Sequence, residues 1–430
     1  MSPQAPPCAI RYKAGILPLE AAEDRVRSAR PPYLSPYGAN HNRYTRRLSM
    51  STTPTLTSST KRMAGLLFGI AFILALIGSL SSMGQEDDGN SYSDSGDWLA
   101  DESGMYEVVP SEHELIPVDL THRAMAAEFR IVAFPRSPEE SPQSVVPIVY
   151  QAFDAIDRVE ELFSTWRPES QASYVNNTAA RQPVRVSREF FDLVAKAKAY
   201  WERTDGAFDL TVGPLMEVWG RYEDQAAVPS EDELAEIVNA IGMDKVILDE
   251  DNSTIAFETD KVRLDFGGIG KGYAVDEAAR TLKDYGVENA LINGGTSSFL
   301  AMGAPPGLDA WRISIRHPYR PDDIMDVVEL RNESFGASGI FRNLMRAGDE
   351  EVGDIVDPRT GRPVRDVLTV SVVGSTGAET DILATAFVVM GPEGIRAYCE
   401  ANPHVRAIVL AKPGNGAMAP EWVNFIDKED

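Results

Sequence analysis

From about residue 116 onward the chain alternates apolar and polar positions, and the period changes from segment to segment. Residues 146–163 repeat apolar positions at helical spacing and predict an amphipathic helix. Residues 187–203 do the same, with Ser187 as N-cap. Ser230 with Glu233 forms a capping box for a third helix, which stops before Gly242. Residues 125–134 read as a strand, and 245–258 as a hairpin around Asp251 and Asn252. Further strands are expected at 289–295, 311–316, 327–330, 368–373 and 405–410, and further helices at 380–390 and 393–401. The two kinds of element mix without the regular alternation of a doubly wound sheet, so the fold class expected is α+β. No short internal repeat is present.

The first 115 residues break this pattern. Residues 1–60 are rich in Pro, Ser, Thr and Arg and lack periodicity. They read as a disordered tail, or as a start placed too early, with Met50 or Met63 as the alternative. Lys61 and Arg62 precede an uncharged run, 64–80, about long enough to cross a bilayer. Glu86, Asp87 and Asp88 follow it, and this asymmetry orients the N-terminus to the cytoplasm. Residues 61–84 are therefore expected to be a signal anchor or a cleaved signal peptide, and the length of the run favours the anchor. No Cys follows it, which excludes a lipoprotein anchor there. Residues 85–115 form an acidic Gly/Ser linker, and 116–430 the folded body.

Charge and cysteine content narrow the chemistry. Residues 1–85 hold 10 basic and 3 acidic residues, +7 of a chain total of −24, so the remainder carries −31. An acidic body argues against a nucleic-acid partner. It also requires basic residues or a metal cation wherever an anionic ligand binds. Cys8 and Cys399 are the only cysteines, too few for a disulfide scaffold or a cysteine zinc cluster. Cys399 falls in an expected helix and is assigned to the core. The five histidines show no zinc-type spacing.

The chemistry concentrates in 264–276, LDFGGIGKGYAVD. Val262 and Leu264 are β-like, and Gly267, Gly268, Gly270 and Gly272 follow. A helical pattern starts at Tyr273 and ends at Gly286. Glycines between strand and helix let backbone N–H groups approach a ligand, a helix start adds partial positive charge, and Lys271 adds a full one. That suits a phosphate or diphosphate. The spacing fits neither the Walker loop nor the dinucleotide fingerprint. On spacing alone the stretch reads equally as a tight turn without a ligand. In 379–386, ETDILATA, Asp381 and Thr385 share a helix face four residues apart, where both can reach a hard cation such as Mg²⁺. Alone, that pair also fits capping or a solvated surface.

Taken in order, these segments resemble the FAD:protein FMN transferase (ApbE) family. The likeness covers about 125–410: Met125 and its strand, 164–176 (STWRPESQASYVN), 206–220 (GAFDLTVGPLMEVWG), the glycine stretch, INGG, the SG of 336–339, 355–363 (IVDPRTGRP) and TDILATA. The resemblance implies a T-fold-related mixed α/β body. It also implies an enzyme that binds FAD and a divalent metal, usually Mg²⁺. Such an enzyme cleaves the diphosphate and attaches FMN to a Thr or Ser hydroxyl of a target flavoprotein, releasing AMP. It implies work on the outer face of the bacterial cytoplasmic membrane, where the N-terminal segment independently points. Carried over by motif, Asp381 and Thr385 would ligate the metal through side chains and Gly268 through its carbonyl. Asp265 and Lys271 would contact FAD. Met125, Trp166, Ala207, Phe208, Asp209 and Ile355 would line the flavin or adenine pocket. Trp166 stands where the family commonly has Tyr.

Two positions depart from the family pattern. The family usually has His before the Ile-x-Asp-Pro turn, whereas Gly353 and Asp354 stand here. Asp354 is the expected replacement base. Thr296 follows Gly294 and Gly295 where Asp or another polar residue is frequent. His317 is expected in a strand-end loop and is no evident substitute for the missing imidazole. FAD hydrolysis to FMN and AMP, and a membrane-tethered FAD-binding module without catalysis, would use nearly the same residues.

Overall fold

The computed structural model describes residues 99–100, 106–108, 115–221, 228–317, 320–340, 344–348, 350–411 and 420–425. The expectations for 1–60 and 61–84, and for most of 85–115, fall outside the described residues. Among those described, no helix is long and apolar enough to cross a membrane.

The body is organised on an eight-stranded sheet. Its strands are β1 (Val118–Ala124), β2 (Ala127–Ala133), β3 (Ala290–Gly294), β4 (Ser298–Met302), β5 (Glu333–Gly339), β6 (Val367–Gly374), β7 (Arg406–Ala411) and β8 (Glu421–Val423). Each pairs antiparallel with the next in chain order, so the sheet is a meander with insertions between strands. Both faces are covered, and the sequence shows it. Ile131, Ile292, Val372 and Val409 point into one core, while the neighbouring Val132, Leu291, Val373 and Ile408 point into another. Successive strand side chains alternate faces, so a strand buried on both sides is an unbroken apolar run such as AIVL.

The helices are α1 (Val146–Phe163), α2 (Gln171–Thr178), α3 (Arg188–Arg203), α4 (Gly213–Val218), α5 (Glu231–Ala240), α6 (Gly270–Asp284) and α7 (Gly377–Ala401). α1, α2, α3, α6 and α7 cover the first face. On the second face a smaller sheet presents Trp311, Ile313 and Ile315 of the strand Trp311–His317, with Val328 and Leu330 of its partner Arg320–Leu330. A third cluster, Leu215, Met216, Trp219, Leu234 and Ile241, joins α4 to α5.

α1, α3 and α5 run as the periodicity predicts, and Ser187 and Ser230 accept N–H bonds from Phe190 and Glu233 as N-caps. The 245–258 hairpin forms as Val246–Asp249 with Thr254–Phe257. The helices expected at 380–390 and 393–401 are one element, α7, broken where Gly391 (φ 70°) precedes Pro392. Cys399 is buried on it.

Three local expectations change. The strand expected from Met125 begins at Ala127, because Met125 and Ala126 form the two-residue turn between β1 and β2. Val262 and Leu264 belong to no strand. The Asn176 amide serves Leu264 as a strand partner would, accepting its N–H at 2.8 Å and donating to its carbonyl at 2.9 Å. Asp265 follows in a turn, with its N–H on the Leu210 carbonyl at 2.7 Å. The helix after the glycines starts at Gly270, three residues before Tyr273.

Candidate active site

Two helix starts meet at the centre of the site. Gly272 in the first turn of α6 faces Gly377, the first residue of α7. A methyl group at Gly272 would lie 2.0 Å from the Gly377 carbonyl oxygen, and one at Gly377 would lie 2.2 Å from that of Gly272. Only glycine at both positions permits this approach. Asp276 locks it from the α6 side, accepting the N–H groups of Gly377 and Ala378 at 2.6 and 2.9 Å. Burial pushes the Asp276 carboxyl up to about 6. Aligned helix starts add partial positive charge, and Lys271 stands in the first turn of α6.

A cavity of about 750 Å³ opens beside this junction, and it is lined by most of the residues singled out in the sequence. Asp381 is buried on α7. Its Oδ2 accepts the Gly272 N–H at 2.6 Å and its Oδ1 accepts the Ser298 hydroxyl at 2.7 Å. Burial raises its pKa, against the pull of Lys271 and these hydrogen bonds. Thr385, one turn further, shares the cavity wall and lies 3.4 Å from the Ser338 hydroxyl. Gly268 completes the corner, where a methyl group would meet Thr385 Oγ1 at 3.3 Å and Phe208 at 3.2 Å. The three expected metal ligands are thus brought together. The described residues contain no group of three or more His, Cys, Asp or Glu able to hold a metal. The donors here are instead carboxylate, hydroxyl and carbonyl oxygens. A carboxylate offers about four lone-pair directions, so Asp381 retains capacity beyond its two N–H and O–H donors.

The apolar wall is built with strain. Met125 and Ala126 both have positive φ, 50° and 56°. Glycine or Asn normally fills such turn positions, and each misfit residue costs on the order of 1–3 kcal/mol. Glu160 accepts the Met125 N–H at 2.9 Å and holds the turn. The result aims Met125 at the glycine stretch, where a methyl group on Gly270 would meet its Cε at 3.0 Å. Ala207 and Phe208 are buried and also line the cavity. Asp209 lines it while working as a turn residue, since its Oδ1 accepts both the N–H and hydroxyl of Thr211. Burial pushes its carboxyl up to about 6. Asp265 Oδ1 accepts the Gly267 N–H at 2.7 Å, which shapes the glycine turn. Ile355 lines the wall beside Asp354.

Three residues meet surroundings that the sequence did not show. Trp166 lies in the turn after α1, 72% exposed, and is not part of the cavity wall. Asp354 does reach the cavity, but its carboxylate is an ion-pair partner of Arg221, Nη1 to Oδ2 3.5 Å. His317, set aside on sequence, ends the strand Trp311–His317 and lines the cavity with Ser314 and Arg316. Arg221 and His317 come from segments far apart in the chain, and no local motif marks them, whereas Ser338 is the serine of the SG in 336–339 and Ser298 lies just after INGG.

Fold and cavity define a class: an α+β protein whose antiparallel meander and paired helix starts frame a pocket suited to a phosphate-bearing ligand and a hard cation. The profile of the ApbE family matches residues 125–409, and the chain belongs to that family. Among its relatives is the Escherichia coli K12 protein named FAD:protein FMN transferase, 27% identical over 284 residues, 64% of this chain and 80% of the relative. A Klebsiella pneumoniae protein of the same name is 30% identical over 264 residues, 61% and 81% of the two chains. The crystal structure of the Thermotoga maritima ApbE protein aligns with TM-score 0.64 and 28% identity, over 72% of this chain and 97% of that one. The flavin transferase ApbE from Vibrio cholerae aligns with TM-score 0.62 and 26% identity, over the same shares.

Proposed function

We propose that this chain is a Mg²⁺-dependent FAD:protein FMN transferase. In this reading it cleaves the FAD diphosphate, attaches FMN through a phosphoester to a Thr or Ser hydroxyl of a target flavoprotein, and releases AMP. The observation that carries the reading is the meeting of Asp381, Thr385 and Gly268 beside Lys271 in one cavity of a chain of this family. Their oxygen donors suit Mg²⁺ and would hold it. When bound, Mg²⁺ supplies neutralisation of the diphosphate charge in an otherwise acidic cavity.

The chain's own residues account for the rest. Lys271 and the α6 start offer positive charge to the phosphoryl oxygens as charge develops on the leaving group. Met125, Ala207 and Phe208 offer an apolar face to a flavin or adenine ring. The acceptor hydroxyl oxygen bonds to the FMN-side phosphorus. The bond from that phosphorus to the bridging oxygen breaks, and AMP leaves with the electron pair. The hydroxyl proton passes to a basic group at the wall, where Asp354 and His317 both stand. The flanking charges of 61–84 support a further part of the proposal. In this reading the long uncharged run 64–80 anchors the chain, and its flanking charges put the body on the outer face of a bacterial cytoplasmic membrane. Membrane fractionation and protease accessibility in intact cells test it.

The catalytic test incubates the body with FAD, Mg²⁺ and an acceptor flavoprotein domain, and follows AMP release and in-gel flavin fluorescence with and without chelator. Chelator-sensitive AMP release coupled to a fluorescent acceptor supports transfer. AMP release with no labelled acceptor would favour hydrolysis instead.

A further inference from the structure

α4 ends in a turn that delivers a cation to the cavity. Gly220 takes φ +77°, its N–H donates to the Glu217 carbonyl at 2.9 Å, and the Arg221 N–H donates to that of Met216 at 3.0 Å. This is a Schellman cap, in which glycine at the left-handed position sets the direction of the next residue. Trp219, buried just before it, fixes the cap to the 355–363 turn by donating its indole N–H to the Gly361 carbonyl at 2.7 Å. Arg221 is therefore placed by two independent anchors.

Its guanidinium lies between two walls. Nη1 is 3.5 Å from Asp354 Oδ2, and a methyl group on Gly267 would lie 3.6 Å from Nη2. Arginine has five N–H donors in a planar fork, and Asp354 meets one of its terminal nitrogens. The Asp354 side chain is 10% exposed and that of Arg221 32%, so the pair is held at the cavity edge with its second nitrogen toward the glycine turn. The charge balance gives this a purpose. Four aspartates line the cavity against the cations Lys271, Arg221 and Arg316. A diphosphate adds two further negative charges, and Lys271 approaches from the α6 side only.

We propose that Arg221, oriented by Asp354, binds the diphosphate of FAD at the glycine turn, as a second cation beside Lys271. This rests on the reading of FAD as substrate. Asp354 then acts as a positioning residue, keeping the fork at the glycine turn before substrate arrives.

The test separates ligands by their phosphates. Binding of FAD, ADP and riboflavin is measured with Mg²⁺ for the wild type, Arg221→Ala, Arg221→Lys and Asp354→Asn. Loss of charge-assisted hydrogen bonds weakens FAD and ADP by about tenfold or more in Arg221→Ala and leaves riboflavin unchanged, which also shows the variant folded. Arg221→Lys falls between. Asp354→Asn weakens FAD in the Arg221 background and has no further effect on top of Arg221→Ala. Equal FAD affinity in the wild type and Arg221→Ala overturns the inference while leaving the flavin transferase reading intact. A wild type that binds no FAD overturns both. An equal loss for FAD and riboflavin also overturns it, because the residue would then shape the pocket rather than hold phosphate.

Discussion

The contact between the two helix starts makes Gly272→Ala a sharp test of how the site is assembled. The added methyl carbon would lie 2.0 Å from the Gly377 oxygen, 2.4 Å from its carbonyl carbon and 2.8 Å from Asp381 Cγ. Carbon and oxygen approach no closer than about 3.3 Å even in weak hydrogen bonds, so the helix starts must separate by about 1.3 Å. Forcing a packed contact apart costs about 1–3 kcal/mol. The same displacement breaks the 2.6 Å bond from Gly272 N–H to Asp381, and a hydrogen bond to a charged group is worth about 1.5–3 kcal/mol. Together these lower stability by about 3–5 kcal/mol, a fall in Tm of about 6–12 °C for a domain of this size. Thermal unfolding followed by circular dichroism measures it. Gly377→Ala, which meets the Gly272 oxygen at 2.2 Å, is expected to behave alike. A Gly272→Ala protein melting within about 1 °C of the wild type would refute the close approach and the geometry of Asp381 built on it.

Three other predictions follow from separate features. Asp209 is raised by burial to about 6, above its unfolded value near 3.9. The native state thus keeps a proton that the unfolded chain has released, and stability falls as pH rises from about 4 to 6, by at most about 3 kcal/mol. Asp209→Asn retains an oxygen for both Thr211 donors, so urea unfolding is expected to show a shallower fall across that window. A slope as steep as the wild type's would contradict the assignment. Lys271→Met is expected to lower the rate of AMP release by about 100-fold or more, the scale of one lost electrostatic contact to developing charge. Steady-state kinetics with FAD checks it. Trp219→Phe leaves the Gly361 carbonyl without its buried donor and is expected to cost about 1–3 kcal/mol, read in denaturant midpoint.

Much of the body was legible in the sequence where local and tertiary preferences agree. α1 and α3 match their expected bounds because one apolar face specifies each, with a Ser cap at the start of α3. β5, ESFGASG, was hidden by its composition, which reads as turn. Its glycine has a long-range cause, since a methyl group on Gly336 would meet the Thr380 carbonyl of α7 at 2.6 Å. α2 escaped because it is short and polar, and Leu264 was misread as strand because its partner is an Asn side chain rather than another strand. In the site, the glycine stretch and the Asp381–Thr385 pair were legible as motifs with a chemical reason. The partners of Asp381 were not, because Ser298 is 83 residues away in the chain. Nor was the pairing of Arg221 with Asp354, which depends on a helix cap and an indole anchor meeting a distant turn. Exposed Trp166 shows the converse limit, a motif position that this structure does not carry to the cavity.

The most direct test of the central claim is the intact mass of an acceptor flavoprotein domain after incubation with FAD, Mg²⁺ and the body of this protein, with Asp381→Asn in parallel. The account predicts an acceptor heavier by one FMN phosphoester with the wild type, and an unchanged acceptor with the variant or in chelator. An acceptor that gains the same mass with Asp381→Asn would contradict it, because transfer would then proceed without the carboxylate on which the site is built.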